Sequence, residues 1–127
     1  MRKKSFWTNK NILITGITGF VGSNLAKNLT VLGANVTGIS KSQKIESLLF
    51  YEEINKRCNL VYGNLLDKEF IKNTLRKYNI EICFHLAAQI EVGHAKSYPF
   101  ETWESNIRGT YNFLEAIRTS GKKVKAV

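Results

Sequence analysis

Long apolar runs are missing from this sequence, and their absence excludes several classes of protein. No stretch approaches the roughly 18 consecutive apolar residues that a transmembrane helix needs. The start of the chain, MRKKSFWTNK, is basic, but no apolar segment follows it, so we expect no secretory signal. We therefore predict a cytoplasmic location and no membrane partner.

Cysteine is scarce, with two in the whole sequence. Cys58 and Cys83 form no Cys-x-x-Cys pair and show no spacing to histidine that is typical of metal ligands. Cys83 lies in the apolar run IEICFHLAA, which favours a small buried thiol. We predict neither a disulfide framework nor a metal site.

Acidic residues are also few, at 10 against 19 lysines and arginines, which leaves a formal net charge of +9. The basic residues are scattered, with only RKK and KK as short runs, and no aromatic residues alternate with them. A nucleic-acid binder concentrates its basic residues on one face or arm. We predict no nucleic-acid partner and attribute the charge to a solvated surface that attracts anionic ligands such as nucleotides.

The chain has one proline, no internal repeat and no linker rich in proline or glycine, so residues 1–127 form one domain at most. Short apolar segments typical of strands alternate with helical patterns. The predicted strands are Asn11–Thr15, Asn35–Ile39, Leu60–Tyr62 and Ile82–Leu86, with a fifth beginning in Val124–Val127. This alternation predicts an α/β fold, a doubly wound parallel sheet in strand order 3-2-1-4-5 with helices on both faces.

Three helices are predicted from apolar residues at helical spacing, and a weaker pattern covers Lys44–Ile54. The first ends at the glycine of LGANV, the second begins after Asp67 as its N-cap, and the third ends at Gly121. Their apolar stripes are Val21, Leu25, Leu29 and Leu32; Ile71, Leu75 and Tyr78; and Trp103, Ile107, Thr110, Leu114 and Ile117.

Three glycines, spaced three apart, follow the first predicted strand in NILITGITGFVGSN. Gly16 permits a sharp turn, Gly19 lets a ligand approach the backbone, and Gly22 lets the helix pack closely on the strand. The amides at the start of that helix then face a phosphate group, aided by the helix dipole. Glycine-rich turns also serve packing alone, but the strand and helix on either side favour dinucleotide binding.

The stretch TGITGFVGSNL resembles the TGxxGxxG fingerprint of the extended short-chain dehydrogenases/reductases, which include the NAD-dependent nucleotide-sugar epimerases and dehydratases. GNLLD (63–67), FHLAAQ (84–89) and NIRGTYNFLEA (106–116) are similar to further motifs of this family, in the expected order. The resemblance is strongest to CDP-glucose 4,6-dehydratases, with GDP-mannose dehydratases and UDP-sugar epimerases as alternatives. It implies a Rossmann fold, incomplete here, in the cofactor-binding part of an enzyme of nucleotide-sugar and surface-polysaccharide biosynthesis.

The resemblance also implies which residues contact the cofactor. Asn64 stands where the family usually has the aspartate that binds adenine, and an amide offers both a donor and an acceptor there. Leu65 would add an apolar contact. The residues expected along the pyrophosphate are Gly16, Thr18, Gly19, Phe20, Val21 and Gly22, and those expected beside the ribose and nicotinamide are Leu86, Ala87 and Ala88.

Two polar residues have competing interpretations. Gln89 either points toward a sugar pocket or is a solvated loop amide. Asn106 either lies near the cofactor, as the resemblance implies, or is a buried amide that bridges helices. His85 and His94 show no evident partner in the sequence, and we expect His85 to be packed in the fourth strand rather than catalytic.

The end of the second strand, VTGISKSQ, distinguishes NAD from NADP in such folds. It has no acidic residue to bind the ribose hydroxyls, and Ser40 and Lys41 could accept a 2′-phosphate on grounds of charge. The family resemblance nonetheless implies NAD. We predict NAD and keep NADP as the alternative.

The acid/base pair of the family, Tyr-x-x-x-Lys, does not occur in this sequence. We therefore predict no catalytic residue within it. The leading hypothesis is the NAD(P)-binding portion of a nucleotide-sugar dehydratase or epimerase, which acts on its sugar nucleotide in a longer protein and forms a homodimer through the third helix, as the resemblance implies. A non-catalytic NAD(P)-binding or sensing module is the alternative.

Overall fold

The computed structural model describes residues 4–43, 46–88 and 91–127. Its centre is a sheet of five parallel strands in the order β3-β2-β1-β4-β5. The strands are β1 (Asn11–Thr15), β2 (Asn35–Ser40), β3 (Cys58–Tyr62), β4 (Ile82–His85) and β5 (Lys125–Ala126). The predicted doubly wound fold and its strand order are confirmed. β3 begins two residues before the predicted start, β2 extends to Ser40, and β4 ends one residue before Leu86.

β1 is the central strand, and its side chains divide the core into two layers. It pairs with β2 on one side and with β4 on the other, so Ile14 lies between Gly38 and Phe84. Ile12 and Ile14 join the cluster under the first helix, whereas Leu13 joins the cluster on the opposite face. All three are fully buried, as a strand covered on both faces requires.

Helices cover both faces of the sheet. They are α1 (Phe20–Val31), α2 (Leu48–Tyr51), α3 (Lys68–Lys77), α4 (Val92–Ser97), α5 (Pro99–Trp103) and α6 (Gly109–Thr119). A 3₁₀ turn, Ile54–Arg57, follows α2, and a π-helical turn, Glu104–Arg108, joins α5 to α6. The weak helix predicted over 44–54 is therefore reduced to α2 and the start of the 3₁₀ turn, and its first two residues lie outside the described ranges. Among the described residues, no helix combines the length and the apolar content needed to cross a membrane.

α3 forms as predicted. Asp67 caps it, since its Oδ1 accepts the backbone N–H of Phe70 at 3.0 Å. Glu69 in the first turn and Arg76 and Lys77 in the last turn place each charge at the favourable end of the helix dipole.

The buried faces of α1 and of the last helix differ from the predicted stripes. α1 buries Gly22, Ala26 and Leu29, while Val21 is 63% exposed. Gly22 and Ala26 occupy the buried face because their small side chains let the helix lie close to the sheet. In the last helix most of the large apolar residues of the predicted stripe lie on the outer face. The inward positions become Gly109, Phe113 and Ala116, and the outward positions become Trp103, Ile107 and Leu114.

The approach of α1 to β1 generates a test of stability. A Cβ atom on Gly22 would lie 2.2 Å from the carbonyl oxygen of Gly16, so Gly22→Ala forces the helix away from the strand. We expect a loss of about 1–3 kcal/mol in the free energy of unfolding, measured by urea denaturation. Gly93→Ala in α4 is the control, because a Cβ there meets no atom within 4 Å. Equal stability of the two variants would contradict the close packing.

Candidate functional site

A cleft of about 630 Å³ opens at the carboxyl edge of the sheet, where the strand order reverses between β1 and β4. Of the predicted site residues that the structure describes, all except Asn106 line it. Gln89 lies outside the described residues. The lining consists of Gly16, Thr18, Gly19, Phe20, Val21, Gly22, Ile39, Ser40, Lys41, Gly63, Asn64, Leu65, Leu66, Leu86, Ala87, Ala88, Glu91, Ser105 and Gly109. Sequence reasoning missed Ile39, Gly63, Leu66, Glu91, Ser105 and Gly109.

The three glycines of the turn differ in what the chain itself requires of them. Gly16 has φ +70°, and a Cβ there would lie 2.8 Å from the backbone nitrogen of Ala87, so both the turn and the loop after β4 exclude a side chain. Gly19 has an ordinary φ of −73°. A Cβ on it would meet only the Gly16 carbonyl oxygen, at 3.3 Å. Gly19 therefore excludes a side chain less strictly than Gly16 does, and its backbone lines the cleft.

The N-terminus of α1 has no cap from the described residues. No side chain accepts a hydrogen bond from its first amides, and no acidic residue lies in its first turn. α3 has both, from Asp67 and Glu69. The first amides of a helix have no partner within the helix, so those of Phe20, Val21 and Gly22 remain available. Together with the positive end of the helix dipole they favour an anion in the cleft.

Two buried serines hold the glycine turn in place. The hydroxyl of Ser23 donates to the carbonyl of Ile17 at 2.9 Å, and that of Ser47 donates to the carbonyl of Thr18 at 2.7 Å. Ser47 also accepts the N–H of Leu49 at 3.2 Å and so caps α2. The carbonyls of Gly16, Ile17 and Thr18 are occupied by the protein, and so is the amide of Gly19, which leaves the first amides of α1 for a ligand. Sequence reasoning missed both serines, although a serine before the apolar pattern LLF is a signal for a helix N-cap.

Asn64 and Leu65 form the wall beyond β3. The side-chain oxygen of Asn64 accepts the N–H of Leu66 at 3.0 Å, which fixes this loop. Asn112 of α6 reinforces it by donating to the carbonyl of Leu66 at 2.9 Å. Within the described chain the Asn64 amide donates no hydrogen bond, so it faces a ligand mainly as a donor. An ionised aspartate side chain at this position could only accept hydrogen bonds.

The end of β2 presents Lys41 rather than Ser40. Ser40 is 6% exposed, and its hydroxyl donates to the carbonyl of Ser42 at 2.7 Å. Its proton is therefore not available to a phosphate group. Lys41 is exposed, lines the cleft and brings a positive charge to this side of it.

His85 is packed in β4 as expected, and it has partners that the sequence does not reveal. The ring stacks on Phe113 with centroids 4.8 Å apart and hydrogen-bonds Thr15 of β1 and Thr110 of α6. Burial lowers the pKa of His85 below its ordinary value of 6.5, which keeps the ring neutral. His94 also has a partner, because its Nε2 lies 3.1 Å from a carboxylate oxygen of Glu101.

The cysteines offer no nucleophile. Cys83 is fully buried in the core, and burial raises its pKa to about 12. Burial raises the pKa of Cys58 to about 11, against the weaker opposing effect of Arg57. Both thiols stay protonated near neutral pH, as the apolar sequence around Cys83 suggests.

Known proteins are similar to this chain in sequence and in fold. A family model described as GDP-mannose 4,6 dehydratase matches residues 13–127. The chain is 36% identical over its whole length to the CDP-glucose 4,6-dehydratase of Salmonella typhimurium, of which it covers 35%. It is 33% identical to the dTDP-glucose 4,6-dehydratase of the same organism, over 84% of this chain and 30% of that one.

Solved structures of nucleotide-sugar epimerases also have a similar fold. The UDP-glucose 4-epimerase of Brucella ovis, in complex with NAD, matches with a TM-score of 0.75 and 27% identity, over 87% of this chain and 33% of that one. The UDP-glucose 4-epimerase of Thermotoga maritima, with UDP-glucose, gives a TM-score of 0.77 and 28% identity, over 89% of this chain and 35% of that one. The chain spans about a third of the length of these relatives. The matches confirm the resemblance carried by its motifs: the chain belongs to the GDP-mannose 4,6-dehydratase family, among the nucleotide-sugar dehydratases and epimerases.

Proposed function

We propose that this chain is the dinucleotide-binding portion of a nucleotide-sugar 4,6-dehydratase or epimerase and that its cleft holds NAD. The observation that carries the proposal is the uncapped N-terminus of α1 above Gly19, whose missing side chain leaves the backbone open to the cleft. A pyrophosphate satisfies both features, since it accepts hydrogen bonds from the free amides and needs the space that a side chain would fill.

The rest of the cleft suits the two ends of a dinucleotide. Its volume of about 630 Å³ lies within the usual range for sites of small ligands and cofactors. On the β3 side, Asn64 offers an amide donor and Leu65 an apolar surface to the adenine ring. On the β4 side, Ala87 and Ala88 are small enough for a ring to lie against the backbone. The pyrophosphate then spans the turn between them.

Bound NAD would supply reversible hydride acceptance, the redox step on which dehydratases and epimerases of this kind depend. The residues described here would bind and orient it. Two relatives bear on the cofactor and substrate: the Brucella ovis epimerase is in complex with NAD, and the Salmonella typhimurium relative is a CDP-glucose 4,6-dehydratase. We accordingly propose a sugar nucleotide of the CDP-glucose class as the substrate of the whole protein.

The pyrophosphate role of Gly19 can be separated from folding. Gly19→Ala keeps an allowed φ and adds a Cβ 3.3 Å from the Gly16 carbonyl oxygen, a much milder contact than the 2.2 Å that a Cβ on Gly22 would make with the same oxygen. Gly19→Val places more bulk over the free amides. We expect NAD affinity to fall by at least about tenfold in the alanine variant and beyond detection in the valine variant, by calorimetry.

The melting temperature of Gly19→Ala should stay close to that of the parent. Gly93→Ala, which adds the same methyl group far from any contact, should leave the affinity unchanged. Parental affinity in both Gly19 variants would remove the pyrophosphate from this turn.

The cofactor choice depends on Lys41 in this proposal. NAD is the cofactor that the relatives support, and no carboxylate at the end of β2 repels the 2′-phosphate of NADP. We expect Lys41→Glu to weaken NADP binding about three- to tenfold more than NAD binding, because it reverses the charge facing the 2′-phosphate. The measurement is the ratio of the two dissociation constants at low and at high salt.

Lys123→Glu is the matched control, since it makes the same change of charge outside the cleft. If the ratio shifts equally in both variants, the change in net charge explains the effect and the position of Lys41 does not. A ratio unchanged by Lys41→Glu would exclude Lys41 from cofactor choice.

We also propose that a second copy of the chain packs on the outer face of α5 and α6. This face carries large apolar side chains that are more than half exposed, namely Phe100, Trp103, Ile107, Tyr111 and Leu114. Apolar surface of this extent favours association with another protein surface. The motif resemblance supports a homodimer through the same helix.

We expect Leu114→Glu to shift the protein toward the monomer, because it would bury a charge in that interface. Light scattering after size-exclusion chromatography, over a dilution series, measures the change. Val31→Glu, at a site 69% exposed on α1, is the control and should leave the association unchanged. A parent protein that stays monomeric at every concentration would refute the proposal.

A further inference from the structure

A chain of hydrogen bonds crosses from the loop after β4 to the π-helical turn. The backbone N–H of Ala87 donates to Thr15 Oγ1 at 3.1 Å, and Thr15 Oγ1 lies 2.7 Å from His85 Nδ1. His85 Nε2 lies 3.1 Å from Thr110 Oγ1, whose hydroxyl lies 2.7 Å from the carbonyl oxygen of Asn106.

The chemistry of the two ends fixes every proton between them. The Asn106 carbonyl can only accept, so Thr110 donates its one hydroxyl proton to it and accepts from His85 Nε2–H. The neutral ring then has an unprotonated Nδ1, which accepts from the hydroxyl of Thr15. Thr15 in turn accepts from Ala87. This chain of hydrogen bonds, from Ala87 through Thr15, His85 and Thr110 to Asn106, is the His85 relay. All its donors and acceptors are satisfied when His85 is neutral and carries its proton on Nε2.

The relay connects three walls of the cleft. Thr15 precedes Gly16 of the glycine turn, Ala87 lines the cleft after β4, and Asn106 follows Ser105, which lines the cleft from the π-helical turn. We propose that His85 is a positioning residue, which in its neutral form holds the loop after β4 and the π-helical turn in the geometry that binds the dinucleotide. This inference rests on the proposed function of the cleft.

Protonation of His85 breaks the relay. Both ring nitrogens become donors, so the hydroxyl of Thr15, which is fully buried, loses its acceptor. The groups that contact the ring are uncharged, namely Thr15 from β1 and Thr110 and Phe113 from α6. Cys83 lies on the same face of β4 as His85, and its thiol is protonated near neutral pH. Val127, next to β5, accepts the backbone N–H of His85 through its carbonyl at 2.9 Å.

The sign of the pH effect follows from these surroundings. Burial lowers the pKa of His85 from 6.5, so the folded state resists the proton that the unfolded state accepts. The contribution of the relay to the free energy of unfolding is complete above about pH 6.5. It is lost as the pH falls through the lower pKa of His85 in the folded state. Affinity for the dinucleotide should fall only below the folded-state pKa, where the free protein takes up a proton that the bound form excludes, and by at most about tenfold per pH unit.

The experiment measures NAD affinity from pH 8 to pH 5 in the purified parent and in variants. His85→Asn places an amide oxygen near Nδ1, and His85→Gln places an amide nitrogen near Nε2, so each keeps one half of the relay without a titrating group. We expect both to bind about tenfold more weakly at pH 8, the loss of about one hydrogen bond, and to lose the fall in affinity toward acid pH. His94→Asn removes the other histidine of the chain and should keep the parental profile.

Ring-nitrogen NMR of His85 and amide exchange of Ala87 supply readouts that need no ligand. The relay predicts the Nε2–H form at pH 8 and faster exchange of the Ala87 amide in His85→Gln. A parent that binds NAD with the same profile as His85→Asn would overturn the positioning role, as would an Nδ1–H ring. A parent that binds neither NAD nor NADP at any pH would refute the proposed function, and the NMR results would then decide whether the relay orders the two walls.

Discussion

The contact between the first turn of α1 and the end of β1 is the constraint on which the cleft depends. A Cβ on Gly22 would lie 2.2 Å from the carbonyl oxygen of Gly16, so no other residue permits this separation of helix and strand. Because the two elements lie this close, the free amides of α1 come directly above the edge where β1 and β4 part. Ser23 and Ser47 then hold the turn by its carbonyls, from inside the protein. Packing and ligand geometry are set by the same contact.

The N-termini of α1 and α3 differ in whether the protein supplies negative or hydrogen-bond-accepting side chains to them. α3 provides its own negative partners through the Asp67 cap and Glu69, so its N-terminus needs nothing else. α1 provides none, and it is α1 that points into the cleft. An uncapped N-terminus costs stability in the absence of a partner. The uncapped terminus lies where the strand order reverses, which is the place where open α/β sheets bind their ligands. An anion-binding site there would explain it.

The strands could be predicted from sequence because their signals are local, whereas the residues of the cleft walls after β3 and β4 were implied by the family motifs. β1 has the predicted bounds, and the Asp67 cap follows from the residues just after it. The faces of the last helix could not be predicted from its apolar stripe, because large apolar residues such as Leu114 lie on the outer face while the small Gly109 and Ala116 are buried. The partners of His85 were also beyond reach, since Thr15 and Thr110 lie 70 and 25 residues away in sequence. Only the fold brings these residues to one ring.

The π-helical turn has a consequence for how this protein can change. Such a turn is an α-helix that carries one inserted residue, so deletion of a single residue from Glu104–Arg108 would restore a regular helix. The wider turn absorbs the extra residue, so the helix on either side of the deletion would keep its faces and only positions within the turn would move. Ser105 would shift along the cleft wall, while Phe100 and Trp103 would stay on the outer apolar face. A change of length at this turn would therefore alter the wall of the proposed ligand site and leave the proposed association surface in place.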